Sequence, residues 1–85
     1  MTSEAILEQM QPIFRDVFDD PALTVSPSTT SADIEDWDSL AQISLVVAME
    51  HAFGLKFNLD EVNALPDIGG MVDLIALRLA EKIDA

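Results

Sequence analysis

The chain has 85 residues, enough for one small domain spanning 1–85. Hydrophobic residues make up 49%, which supports a core, and the absence of cysteine excludes disulfides, thiolate metal sites and a cysteine nucleophile. Against 16 acidic side chains stand 4 basic ones, a net charge of −12 that repels nucleic acid and anionic membranes and attracts proteins with basic patches.

Residues 3–18 carry apolar side chains at Ile6, Leu7, Met10, Ile13, Phe14, Val17 and Phe18, one stripe along an α-helix. Pro12 removes a backbone donor inside it and predicts a kink or break near Glu8 and Gln9. Asp19, Asp20 and Pro21 end this helix. A long loop rich in Ser, Thr, Pro and Asp then runs to Asp38, with Leu23, Val25, Ile34 and Trp37 spaced to pin it to the rest.

A second helix is predicted from Ser39 to Phe53, capped by Asp38 and closed by Gly54. It is apolar on most of its circumference, so it is either central in the core or keeps one face for a partner. Leu55, Phe57 and Leu59 alternate with polar residues, but no second strand is available to pair, and an extended connector is expected. A short helix covers Leu59 to Leu65. Pro66 and Asp67 stop it and cap a last helix from Ile68 to Ile83, whose stripe is Ile68, Met71, Val72, Ile75, Leu79 and Ile83. The predicted fold is all-α, a small four-helix bundle of three main helices and one short one with a long first loop.

One serine stands out. Ser39 falls where unpaired backbone N–H groups and the positive end of a helix dipole converge, so a phosphate on its hydroxyl would be stabilised without a basic side chain. Taken alone, Asp38-Ser39 is equally an ordinary capping pair, and that is the reading spacing favours. His51, the only histidine, has no serine or cysteine partner for a triad and reads as a solvated helix residue. The acids Asp33, Glu35, Asp36 and Asp38 lack the central glycine and terminal glutamate of a calcium loop, and no metal site is assigned.

Asp38-Ser39-Leu40 resembles the Asp-Ser-Leu motif of acyl carrier proteins, and the resemblance extends along nearly the whole chain. Phe53-Gly54-Leu55-Lys56-Phe57 is similar to the family's ending of the second helix. Asp60 and Glu61 open a short third helix, and Pro66-Asp67-Ile68 stands at the junction before the last one. The resemblance implies a non-catalytic carrier whose Ser39 receives 4′-phosphopantetheine from coenzyme A, through a phosphopantetheinyl transferase, and holds acyl groups as thioesters. It implies a partner-docking face at Leu40, Ile43, Val47 and Glu50, and an acyl pocket lined by Val46, Met49, Phe57, Val62, Leu65 and Ile68. Each of these apolar positions reads equally as core packing.

The chain departs from the family where acids are common on the second helix. Ala41, Gln42 and Ser44 stand there, leaving Glu50, and Asp36-Trp37 replaces the glycine-containing pair that often precedes the motif. Partners other than those of a housekeeping fatty-acid carrier are therefore expected, in fatty-acid, polyketide or another specialised pathway. An aminoacyl or peptidyl carrier and an unmodified acidic interaction module remain as alternatives. A monomer in the cytoplasm is expected, since neither a signal-peptide pattern nor a membrane-spanning apolar run is present.

Overall fold

The computed structural model describes residues 2–84, and of these the side chains as far as Lys82. Four α-helices follow in order: α1 (Ser3–Val17), α2 (Ser39–Phe53), α3 (Leu59–Asn63) and α4 (Ile68–Asp84). A single 3-10 turn, Ser31–Asp33, interrupts the long first connection, and no strand occurs among the described residues. The helical bundle expected from the sequence is the fold observed.

α1 starts at Thr2, whose hydroxyl accepts from the Ala5 N–H at 3.1 Å. It runs through Pro12 without a break. Pro12 and Glu8 are both exposed, so the carbonyl that loses its donor lies on the side of the helix where water replaces it. The helix closes one residue earlier than expected, with Asp19 in the left-handed region (φ 51°). The Asp19 N–H then donates to Asp16 O at 3.3 Å and the Asp20 N–H to Arg15 O at 3.0 Å, the paired bonds of a Schellman ending.

The core is built from one face of each helix. α1 contributes Ile6, Met10 and Phe14; α2 contributes Leu45, Val46, Met49 and Phe53; α3 contributes Val62; α4 contributes Ile68, Met71, Val72 and Ile75. Val25 and Leu55 enter it from the connections. Leu79 packs against this core, whereas the expected stripe position Ile83 lies outside the described side chains.

The long loop is held by α1 rather than by regular structure of its own. The Gln11 amide meets both backbone groups of Val25: Nε2 donates to Val25 O at 2.8 Å, and the Val25 N–H donates to Oε1 at 2.9 Å. Arg15 Nε donates to Leu23 O at 2.7 Å. Farther along, the loop caps α4 backbone to backbone, because Ile68 N–H donates to Thr29 O at 3.0 Å and Gly69 N–H to Pro27 O at 2.8 Å. This approach explains the glycine, since a β-carbon at position 69 would stand 3.0 Å from Pro27 O.

α3 is shorter than expected and ends at Asn63. Asn58 Oδ1 accepts from the Asp60 N–H at 3.0 Å, and the Glu61 carboxylate accepts from the Asn58 N–H at 3.2 Å. The other Glu61 oxygen pairs with Arg78 of α4, which also donates to Lys56 O at 3.0 Å. One arginine thus ties α3 and the connector to α4.

Candidate functional site

Ser39 is the first residue of α2 and its side chain is exposed. Asp38 precedes it in extended conformation, and its Oδ1 accepts from the Ala41 N–H at 2.8 Å. The cap is therefore Asp38, which leaves the serine hydroxyl outside the helix's own hydrogen bonding. The aspartate caps the helix, and the serine beside it is exposed. α2 has 15 residues, so its aligned peptides place a full dipole end at Ser39.

A cleft of about 680 Å³ opens beside this serine. Asp38, Ser39 and Gln42 stand on it from α2's start, and Trp37 and Ser31 from the loop. Its deeper wall is apolar, made by Leu45, Val46, Met49, Val62, Ile68 and Met71. Of the six residues expected to line a pocket, Val46, Met49, Val62, Leu65 and Ile68 do so. Phe57 packs half-buried against the core instead. It lies in the connector after α2, near Glu50 and away from the helix start that carries Ser39.

The expected docking residues separate in the same way. Leu40 (72% exposed), Ile43 (46%) and Val47 (45%) share one outward face of α2, next to Ser39. Glu50 is half-buried, and its Oε2 accepts from the Phe57 N–H at 2.9 Å, so its carboxylate holds the connector. His51 is exposed, and no cluster of three or more metal-ligating side chains occurs among the described residues.

Trp37 pins the loop as expected, through contacts the sequence did not specify. Trp37 closes an aromatic cluster with α1: its ring centroid is 5.5 Å from Phe14 in an edge-on arrangement and 5.9 Å from Phe18. Its indole Nε1 donates to Gln42 Oε1 at 2.7 Å, and Gln42 Nε2 donates onward to Asn63 Oδ1 at 3.3 Å. A tryptophan just ahead of the capping residue, with an amide one turn into the helix, was the only sequence signal for it.

An exposed serine at the capped start of a helix, on the rim of an apolar cleft in a four-helix bundle, is an arrangement able to present a tethered group. The match of residues 8–75 to the family described as "Phosphopantetheine attachment site" fits that arrangement. The chain is 37% identical over 76 residues to the acyl carrier protein of Acidothermus cellulolyticus, covering 89% of this chain and 90% of that one. The solution NMR structure of holo acyl carrier protein from Geobacter metallireducens superposes with a TM-score of 0.85 at 38% identity, over 93% of this chain and 91% of that one. The chain belongs to the acyl carrier protein family, non-catalytic carriers whose prosthetic group is 4′-phosphopantetheine.

Proposed function

We propose that Ser39 is the attachment residue and that the chain presents acyl intermediates to the enzymes of a fatty-acid, polyketide or other specialised biosynthetic pathway. The observation that carries this reading is the exposure of Ser39 at the capped start of α2, on the rim of the cleft. When bound, the arm supplies a terminal thiol on which acyl groups ride as thioesters.

The chain's own residues prepare that attachment. Asp38 fixes the first turn by its bond to the Ala41 N–H, and so fixes the backbone that carries Ser39. The backbone N–H groups of Ser39 and Leu40 begin α2 and favour negative charge at that end. Leu40, Ile43 and Val47 offer an uncharged strip for partner enzymes, beginning with a phosphopantetheinyl transferase. The exposed acids Glu35, Asp36 and Asp38 just ahead of Ser39 suit basic docking patches on acyl-loading and acyl-transfer enzymes. Val46, Met49, Val62, Leu65 and Ile68 give an aliphatic cargo an apolar refuge. The carrier works as a monomer in the cytoplasm. No helix among the described residues is long and apolar enough to cross a membrane.

The test is the intact mass after incubation with coenzyme A, Mg²⁺ and a broad-specificity phosphopantetheinyl transferase, beside Ser39→Ala. A gain of one phosphopantetheine on the native chain alone is expected. A folded native chain that gains nothing from this transferase or from one of its own organism would instead mark an unmodified acidic interaction module.

A further inference from the structure

Trp37, Gln42 and Asn63 come from three different elements, yet their side chains form one hydrogen-bonded file along the cleft that opens beside Ser39. The two links differ in kind. The Trp37–Gln42 bond is short, 2.7 Å, and partly buried, and its donor is wedged against Phe14 and Phe18. The Gln42–Asn63 bond is 3.3 Å long and exposed. A glutamine amide held firmly by its oxygen has its nitrogen aimed in one direction, here at the last residue of α3.

α3 is the lightest element of the fold. It has five residues and buries one of them, Val62. Its first turn is anchored by Glu61, which pairs with Arg78 and accepts from the Asn58 N–H. Its other end is tied to α2 through Asn63. Val46 of α2 and Val62 of α3 line that cleft, and the Gln42–Asn63 bond joins the two helices beside it.

Resting on the reading of Ser39 as the attachment point, we propose that the Trp37–Gln42–Asn63 file is a latch that sets which cargo enters the cleft. Gln42 is the specificity-determining residue, and its bond to Asn63 is the link that yields. Short or polar cargo gains too little by burial to break it and stays outside. Longer aliphatic cargo buries enough methylene surface to displace it. Trp37 remains bonded in both states and so keeps Gln42 poised to close again.

The experiment uses the full chain loaded with acetyl- or octanoyl-phosphopantetheine, in native, Asn63→Ala and Gln42→Leu forms. Two quantities are read: the rate of thioester cleavage by neutral hydroxylamine, and the NMR position of the single indole N–H. Asn63 is exposed and ends its helix, so its replacement leaves the fold intact, which a thermal melt checks. Losing one exposed hydrogen bond should slow cleavage of the octanoyl thioester by roughly two- to fivefold, as the chain enters more readily. Acetyl cleavage should not change. The indole signal should keep its native position in Asn63→Ala and move in Gln42→Leu. Loaded protein whose octanoyl cleavage is the same in all three forms would overturn the latch while leaving the carrier reading standing. A native chain that cannot be loaded at Ser39 would remove both.

Discussion

At the scale of single residues, Asp38 and Ser39 have separable jobs. Asp38 is structural, since its carboxylate satisfies an N–H at the start of α2. Ser39 is exposed and supports nothing in the fold. Asp38→Ala should therefore cost about 1 kcal/mol, the usual worth of such a cap, and lower the melting temperature by about 4–8 °C. Ser39→Ala should stay within about 0.5 kcal/mol of the native chain while losing all modification. Thermal melts of both variants beside the mass measurement decide it, and a large loss of stability in Ser39→Ala would contradict the division. This pair was legible in the sequence because caps are local: donor and acceptor lie three residues apart. Gln42 was not legible as a bridge, because its partners Trp37 and Asn63 are brought to it by the loop and by α3.

At the scale of elements, α1 does more than supply an apolar stripe. Gln11 stands beside that stripe and holds Val25 of the loop by two bonds, and Val25 is 2% exposed. Gln11→Ala leaves an N–H and a carbonyl near the core without their partners, which should cost about 2 kcal/mol. Hydrogen exchange at the Val25 amide should speed up well beyond that of the α2 amides, whereas Gln9→Ala, exposed on the same helix, should alter neither stability nor exchange. An unchanged Val25 amide would show that the side chains of Leu23, Ile34 and Trp37 suffice to hold the loop.

The helices themselves were readable because their ends are written in residue type: Asp38 before α2, Gly54 after it with φ 65°, Asp67 before α4. Pro12 predicted a kink or break, and α1 runs through it unbroken on a solvated side. Leu65 was expected inside α3, but the helix stops at Asn63, and Leu65 reaches the cleft from the turn. The loop's apolar pins Leu23, Val25, Ile34 and Trp37 were readable, but its polar anchors were not, since they are backbone groups taken by Gln11, Arg15, Ile68 and Gly69 from elements distant in sequence.

At the scale of the whole molecule, charge is the dominant unbalanced term. Of the 4 basic residues, Arg15, Arg78 and Lys82 are turned to backbone carbonyls of Leu23, Lys56 and Gly54. Arg78–Glu61 is the one ion pair among the described residues. Nearly all the acids therefore repel one another within a body of 38 × 24 × 21 Å. At 0.01 M salt the screening length is about 30 Å, longer than the two shorter dimensions, and at 0.15 M it is about 8 Å. Low salt thus lets every acid feel every other, whereas physiological salt confines repulsion to near neighbours. Unfolding spreads the charges apart, so screening favours the folded state. Raising NaCl from 0.01 to 0.15 M should stabilise the fold by on the order of 1 kcal/mol, a rise of about 4–8 °C in melting temperature for a domain of this size. A calorimetric titration measures this directly. A melting temperature that stays flat or falls with salt would mean that favourable contacts of the acids outweigh their repulsion. The acids ahead of Ser39 would then be structural, and no longer free to meet a basic partner.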